Sequence, residues 1–380
     1  MINNKTIVFI NNYLAQILLL LFFTTESISK INKYYFFENS IIPIVIKGIA
    51  LCFFAVSFLL NKDKKITYLL FVIFGCFVLG QLFTSTPFEL RIIVIFIKYL
   101  FPLLILFYFK GNPLSEKSRN NLFKAFESII TLNTILIILG FIFSISFFKT
   151  YSGDRFGYNG LFINSSTGTY VYVITLFYFL NKYQQKLFFK PKSIFILLGS
   201  LLVGTKAVYL SLFIIILYYL VAFIRNRKGI IFMSIVLIIL MIFGYLSFFQ
   251  FGIFNRIRES DGLLTTFLSY RNYNFMNNTL PYIQENWQFV NYVFGGVNDF
   301  SLKSEMGFID LLFFFGLLGT IIYLYQFSKA FLNFKLKKIP ALFLLVLISI
   351  IFIAGNFFTY SNIAIYLLII RESFKEDSPI

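Results

Sequence analysis

The chain has no histidine, two cysteines and few charged residues, and each of these scarcities excludes a class of site or protein. Without histidine it can build neither a histidine-based zinc site nor a Ser-His-Asp triad. Cys52 and Cys76 both fall inside apolar runs, which supports neither a disulfide framework nor a thiolate metal site. Charged residues make up 13% of the 380 residues, about half their usual share in a soluble domain. We therefore expect no metal and no cofactor, and a solvent other than water for most of the chain.

Apolar residues make up 59% of the sequence, and aromatic residues 21%. A soluble domain of this length could not bury so much apolar surface, because part of any folded chain must face water. The net charge of +17 does not indicate a nucleic-acid partner, because the basic residues lie in short clusters between apolar runs and not on one domain. The sequence therefore predicts an integral membrane protein that binds no nucleic acid.

Twelve apolar runs follow one another, and most reach the length of about 20 residues that a helix needs to cross a bilayer. They cover residues 7–25, 41–60, 66–83, 91–109, 125–148, 164–180, 193–205, 207–224, 230–251, 304–327, 339–355 and 358–370. No small-residue cleavage site follows the first run, so we expect a spanning helix there and not a signal peptide. The last two runs could also form one broken helix. The sequence predicts an all-α, polytopic membrane protein with about 12 transmembrane helices.

Lysine and arginine collect in alternate segments between these runs. The clusters are Lys62, Lys64 and Lys65; Lys110, Lys117, Arg119 and Lys124; Lys182, Lys186, Lys190 and Lys192; Arg225, Arg227 and Lys228; and Lys329, Lys335, Lys337 and Lys338, with Lys5, Arg371 and Lys375 near the termini. By the positive-inside rule this side is cytoplasmic, so we expect both termini inside.

Three regions follow from this topology. Transmembrane helices 1–9 are expected over residues 1–251, one large extracytoplasmic loop over 252–303, and transmembrane helices 10–12 with a cytoplasmic carboxyl terminus over 304–380. The large loop mixes aromatic residues with Asn, Gln and Arg, which favours a folded cap over a disordered loop.

Three cations stand out because each lies in a short polar motif on the predicted outer side. Arg155 precedes the sixth run, Lys206 lies where the seventh and eighth runs meet, and Arg271 lies in the large loop. Together they predict an anion site, and pyrophosphate is an anion that a membrane face offers and that arginine grips with two parallel bonds. Asp154 could instead be an ion-pair partner of Arg155.

Two carboxylates lie at the outer end of the tenth run. Glu305 is expected at the water boundary, where it could act as a general base towards a hydroxyl, and an ion pair with Lys303 or with an arginine is the alternative. Asp310 is expected within hydrocarbon depth, where a charge needs a polar cavity or a partner. Five residues turn a helix by about 140°, so the two carboxylates are not expected to act on one atom.

Four motifs in order along the chain resemble those of the Wzy-type polysaccharide repeat-unit polymerases, which are relatives of the O-antigen ligases. The motifs are Arg155–Asn159 with Asn164–Gly168; Gly204–Val208; Ser269–Arg271 with Val293–Gly296; and Glu305–Asp310 with Phe315–Gly319. Lys206 stands where the family has arginine, and the proline of the family's first motif is absent. The resemblance covers most of the chain.

The resemblance implies an enzyme of the bacterial cytoplasmic (inner) membrane. It would take a growing glycan from its undecaprenyl diphosphate carrier and join it to a new lipid-linked repeat unit, without a metal or a nucleotide sugar. Arg155, Lys206 and Arg271 would hold the diphosphates, Glu305 would be the candidate base, and Asp310 and Asn356 would support the site. Membrane lipid, a chain-length regulator and a flippase protein are the partners that the resemblance implies.

Gly355 and Asn356 stand where the family often has a Gly-His pair, which favours the polymerase branch and a carboxylate base, or none. The alternatives are an O-antigen ligase and a lipid-linked oligosaccharide flippase or other transporter. A transporter commonly shows internal repeats, and this sequence has none. A membrane acyltransferase would normally need a catalytic histidine.

Overall fold

The structure is a computed structural model that describes residues 4–36, 41–60, 64–85, 87–151, 153, 155–224, 227–249 and 252–375. Within these ranges the chain is helical, and the β-pairing is limited to one isolated bridge between Lys149 and Tyr158. The prediction of an all-α protein is confirmed. Lys62 and Arg225 of the basic clusters, and Asp154, lie outside the described residues.

A helix occupies each of the twelve predicted apolar runs. These helices are α1 (Asn4–Ile31), α2 (Ile42–Leu60), α3 (Lys64–Leu82), α4 (Leu90–Gly111), α5 (Glu116–Ile142), α6 (Ser165–Tyr183), α7 (Pro191–Leu202), α8 (Lys206–Phe223), α9 (Arg227–Phe249), α14 (Gly307–Phe331), α15 (Lys338–Ile353) and α16 (Ile363–Lys375). Between α9 and α14 lie α10 (Gly252–Leu268), α11 (Arg271–Asn274), α12 (Leu280–Asn286) and α13 (Phe289–Phe294).

Six helical segments of the described ranges are long and apolar enough to cross a membrane. They are Tyr13–Phe36, Leu90–Gly111, Glu116–Ile142, Lys206–Phe223, Gly229–Leu246 and Gly307–Phe331. Four apolar helical segments are shorter: Ile42–Phe58, Leu70–Leu82, Pro191–Leu202 and Lys338–Ile353. These segments support a multi-pass membrane protein, and the number of about twelve spans stays a prediction.

Helices α6 and α16 form the centre of the bundle. Every residue of α6 from Thr167 to Leu180 is buried, and so is every residue of α16 from Ile363 to Phe374. The two helices pack on each other, α6 also packs on α8, and α16 also packs on α4 and α1. By contrast, α2 and α9 expose apolar side chains such as Ile44, Ile49 and Ile239, as expected of helices that face lipid.

Helix α5 begins nine residues before the predicted start at 125. The backbone N–H of Ser118 donates to Ser115 Oγ at 3.3 Å, and this side-chain cap starts the helix at Glu116. Basic residues that we expected in a loop, among them Lys117 and Lys124, are therefore helical.

The last two apolar runs form two separate helices joined by residues 354–362. Helix α16 begins at Ile363 and not at 358, and it continues to Lys375. Arg371, which we expected just after the last span, lies inside this helix and is fully buried. Its guanidinium donates to the carbonyl oxygen of Leu106 in α4 and to that of Ala330 in the last turn of α14, where a cation is favoured by the helix dipole.

The segment 252–303 is largely helical and is anchored to the bundle by α13, which packs on α3 and α14. Two glycines allow this contact. A Cβ on Gly295 would lie 2.4 Å from the carbonyl oxygen of Phe314, and a Cβ on Gly316 would lie 2.3 Å from the backbone nitrogen of Gly295. The extracytoplasmic position of this segment stays a prediction.

Candidate functional site

Two glycines join the segment before α6 to the turn before α8. Gly204 has φ +72°, and a Cβ there would lie 2.4 Å from the carbonyl oxygen of Phe156 and 2.5 Å from the Cα of Gly157. The backbone N–H of Tyr158 donates to the carbonyl oxygen of Leu202 at 2.8 Å and fixes the same contact. Only glycine fits this backbone conformation and this close approach without strain. The contact brings the segments that carry Arg155 and Lys206 together.

Helix α10 and the turn after it bring the third cation to the same place. The Lys206 ammonium donates to the carbonyl oxygens of Thr266 and Phe267 and, at 3.0 Å, to Ser269 Oγ. Ser269 and Tyr270 then both take positive φ values, and α11 begins with Arg271. These bonds hold the Ser269–Arg271 motif beside the amino terminus of α8.

Arg155, Lys206 and Arg271 line one cavity of about 130 Å³, which we call the cation cavity. The three residues come from three separate segments of the chain. Hydroxyl groups complete much of the wall, and they belong to Tyr151, Ser165, Ser166, Thr169, Thr205 and Ser269. The cavity therefore combines positive charge with several hydroxyl donors.

The amino termini of two helices also face the cation cavity. Ser165 and Ser166 are the first residues of α6, and Thr205 is the residue before α8. The Thr205 side chain does not cap its own helix and instead accepts a hydrogen bond from Thr169 Oγ1 at 3.0 Å. The N–H groups of a first helical turn have no intrahelical acceptor and carry partial positive charge, so two such ends add to the attraction for an anion.

The charge of the cation cavity is not balanced by the part of the protein that the structure describes. No carboxylate belongs to the described residues that line it. Arg155 Nε and Arg271 Nε are buried, and within the described ranges neither finds a hydrogen-bond partner. The Arg155 guanidinium lies 3.7 Å from the centroid of the Tyr151 ring and 5.1 Å from that of Phe254, and both of these are cation–π contacts and not ion pairs.

Burial lowers the pKa of Arg155, the neighbouring Tyr151 counteracts this, and the charge of Arg271 lowers the pKa further. The two guanidinium groups therefore repel each other in a partly desolvated site. An anion with several oxygens would relieve this repulsion and satisfy the buried N–H groups.

Glu305 lies close to the cation cavity but does not line it. It is partly buried with φ +62° in the turn before α14, which begins at Gly307 and not at 304. A Cβ on Gly355 would lie 2.4 Å from the carbonyl oxygen of Glu305, so the backbone of Glu305 packs on the residue next to Ala354, which does line the cavity. None of the described residues forms an ion pair with Glu305, and its role as a base stays a prediction.

Asp310 supports the turn that holds Glu305. It is 3% exposed, and its Oδ1 accepts a hydrogen bond from Ser304 Oγ at 2.8 Å. Ser304 Oγ in turn accepts from the backbone N–H of Met306 at 3.1 Å. Asp310 lies in the first turn of α14, where the helix dipole favours its negative charge.

Asn356, the other predicted support, lies apart from the three cations. It has φ +69°, and its Oδ1 accepts a hydrogen bond from the Lys303 ammonium. It lines a second cavity together with Lys303.

The sequence reading missed Tyr151, the serines at the start of α6, and Phe254, whose ring lies 4.1 Å from the Lys206 ammonium. The serines lie within the Asn164–Gly168 motif, and Tyr151 lies four residues before Arg155, so the sequence did indicate that they could be near the site. Phe254 comes from α10 and is brought there by packing, for which no local pattern exists.

Comparison of the chain with protein-family models, with curated proteins and with solved structures finds no match.

Proposed function

We propose that this protein is a membrane glycosyltransferase that polymerises undecaprenyl-diphosphate-linked oligosaccharide repeat units into a surface polysaccharide. The reaction would take place on the outer face of the bacterial cytoplasmic membrane. The cation cavity is the observation that carries this proposal, because it is built for an anion with several oxygens and holds no carboxylate among its described lining residues.

The chemistry of the leaving group explains why such a cavity would catalyse the transfer. The bond between the anomeric carbon of the glycan and a diphosphate oxygen breaks, and the hydroxyl oxygen of the acceptor sugar bonds to that carbon. Negative charge develops on the diphosphate as the bond breaks, so fixed cations stabilise the transition state more than the ground state. Arg155 and Arg271 supply forked N–H donors, and Lys206 supplies a point charge.

The proton of the acceptor hydroxyl needs a base, and Glu305 is our candidate. Its turn is held by Asp310 and adjoins the wall of the cation cavity through Gly355. The base would then act from the edge of the site, while the cations act at its centre.

The position of the cation cavity along α6 supports an outward-facing site. The cavity lies at the amino terminus of this helix, and Lys182 lies near its carboxyl terminus. The helix has 19 residues, about 28 Å of length, so its ends are separated by roughly the thickness of the hydrocarbon core. If the basic clusters face the cytoplasm, as the positive-inside rule predicts, the cavity faces the opposite side.

The proposal is tested in a strain from which the gene of this protein is deleted and in which one variant at a time is expressed. The surface polysaccharide of these strains is then compared. We expect Arg155→Ala and Arg271→Ala each to lower the rate of polymerisation on the order of 10²–10³-fold, because each removes a charge that stabilises the leaving group. Arg256→Ala is the matched control, since Arg256 is exposed on α10 and lies outside the cavity. Chain length is measured on a gel and protein abundance by immunoblotting.

Accumulation of single repeat units with normal protein abundance supports a polymerase. Long chains of normal length in both arginine variants would discard the proposal, and loss of all surface glycan with repeat units trapped inside would indicate a flippase. Glu305→Gln is assayed in parallel. Normal chains in that variant would remove Glu305 as the base and leave the cation cavity in place.

A further inference from the structure

A second cavity, of about 630 Å³, lies between α2 and α4. Residues 354–362 and the Phe300–Lys303 turn close its inner end. Three lysines line it, Lys47 from α2, Lys98 from α4 and Lys303 from the turn before α14. We call it the lysine cavity. The sequence reading gave none of these residues a role in a site.

The mouth of the lysine cavity is apolar. Ile44 and Val94 line it and are 71% and 53% exposed, and they belong to helices whose outer surfaces are apolar. Leu51 and Phe101 extend the apolar wall inward. An opening between two apolar helix faces meets lipid and not water, so a ligand can enter sideways from the bilayer.

Two of the three lysines have no hydrogen-bond or ion-pair partner among the described residues. Within the described ranges, Lys47 and Lys98 donate no hydrogen bond and form no ion pair, while Lys303 donates to Asn356. No carboxylate belongs to the described lining residues.

Three carboxylates that do not line the cavity attract its lysines electrostatically. Glu26 attracts Lys47, and Asp310 and Glu305 attract Lys303. Two of them have bonds of their own, since Glu26 accepts from Asn362 at 2.5 Å and Asp310 accepts from Ser304 at 2.8 Å.

The charge of Lys98 acts on both other lysines, so its ammonium group is close enough to repel each of them. Burial lowers the pKa of Lys303, Asp310 and Glu305 raise it, and Lys98 lowers it again. Lys98 lies eight residues into α4, about 12 Å below the start of the helix at Leu90. A cation at this depth, with two more in the same cavity, is costly without a counter-charge.

We propose that the lysine cavity binds the phosphate head of a membrane lipid, with the hydrocarbon chain leaving through the mouth between α2 and α4. Lysine is a common point-charge partner of phosphate, and the apolar mouth suits a chain that remains in the bilayer. The connector 354–362 separates this head group from the cation cavity, because Ala354 lines one cavity and Asn356 the other. The proposal does not depend on the proposed function, since it needs only a lipid phosphate.

Binding is measured on the purified full chain carrying Arg155→Ala and Arg271→Ala, so that the cation cavity does not contribute. The probes are undecaprenyl phosphate, phosphatidylglycerol and inorganic phosphate. Titration and native mass spectrometry measure how tightly each probe binds. In this background, Lys98→Met should weaken lipid binding on the order of tenfold, since it removes one charged donor. Lys98→Arg keeps the charge and should keep the affinity. Lys124→Met, at an exposed position of α5, is the matched control and should have no effect.

The outcomes separate the sources of the phosphate. A loss confined to undecaprenyl phosphate supports the carrier lipid as occupant, and an equal loss for phosphatidylglycerol supports a general lipid phosphate. Inorganic phosphate binding as tightly as either lipid would overturn the sideways lipid site. Unchanged lipid affinity in both Lys98→Met and Lys47→Met, with unfolding temperatures like that of the parent, would overturn the proposal whatever the polymerisation assay shows.

Discussion

Arg371 is fully buried and Arg155 is partly buried, and the protein surrounds the two in opposite ways. Arg371 Nη1 donates to the carbonyl oxygens of Leu106 at 2.9 Å and Ala330 at 3.0 Å. Its Nε and Nη2 both donate to Glu372 Oε1. The guanidinium is thus paired by the chain itself, and it ties α4 and the carboxyl end of α14 to α16. We call this the Arg371 site.

In the described part of the protein, the cation cavity is paired less completely: Lys206 and Arg271 donate to carbonyl oxygens, and neither forms an ion pair with a described carboxylate. Arg155 Nε and Arg271 Nε are buried without hydrogen-bond partners there, and aromatic rings, hydroxyl groups and helix amino termini line much of the cavity. A third set of charged residues, at the carboxyl end of α6, is paired internally as Arg371 is. There, Glu127 accepts hydrogen bonds from Lys182, Lys192 and Tyr178. Cations with a structural role in this protein are matched by carboxylates or carbonyl oxygens. The buried Nε groups of Arg155 and Arg271, which have no such partner among the described residues, are therefore the donors available to a ligand.

Arg371→Met should have the largest effect on stability. It leaves the buried Glu372 carboxylate without the guanidinium and the Ala330 carbonyl group at the end of α14 without this donor, which costs about 3–5 kcal/mol for a broken buried pair. The free energy of unfolding is measured in mixed micelles by the fluorescence of Trp287. Lys375→Met is the control: its ammonium also bonds to Glu372, but it is partly exposed, so the cost should stay below about 1 kcal/mol. Equal losses of unfolding free energy in the two variants would contradict the distinction between the buried Arg371–Glu372 pair and the partly exposed Lys375–Glu372 pair.

Gly204→Ala should have a smaller but clear effect. The new Cβ would meet the backbone of Phe156 and Gly157 at a residue with φ +72°, and such strain and overlap cost about 2–3 kcal/mol. The contact joins the segments of Arg155 and Lys206, so the fraction that folds should also polymerise poorly. Gly75→Ala is the control, because a Cβ there meets nothing within 4 Å and the residue is helical. Full activity in Gly204→Ala would show that the cavity does not need this close contact.

The sequence predicts the helices well because hydropathy alone places them. Each apolar run becomes a helix, since a chain in lipid must satisfy its backbone hydrogen bonds internally. The helix ends are less well predicted, since they depend on particular contacts. A side-chain cap at Ser115 starts α5 early, and the bonds of Arg371 keep α16 helical beyond its apolar run.

The grouping of Arg155, Lys206 and Arg271 could be predicted because each lies in a motif with a glycine or serine that makes the close approach possible. The position of Asn356 beside Lys303, and the lysine cavity between α2 and α4, could not. They result from the packing of helices that are distant in sequence, and the local pattern around Lys47 or Lys98 is that of an ordinary apolar helix.

Lys206 sharpens the comparison, because it has features of both kinds of cation. It lines the cation cavity, and it also donates to two carbonyl oxygens at the end of α10 and to Ser269 Oγ. Lys206→Met should therefore lower the free energy of unfolding by about 1–2 kcal/mol, for charged hydrogen bonds in a partly exposed site, and also shorten the polysaccharide chains. Arg155→Ala should shorten the chains at nearly unchanged stability. For each variant, the free energy of unfolding is measured in mixed micelles, and the chain length of the surface glycan is measured on a gel. A stability loss with chains of normal length would place Lys206 with Arg371 as a structural cation, and short chains at parental stability would place it wholly with Arg155.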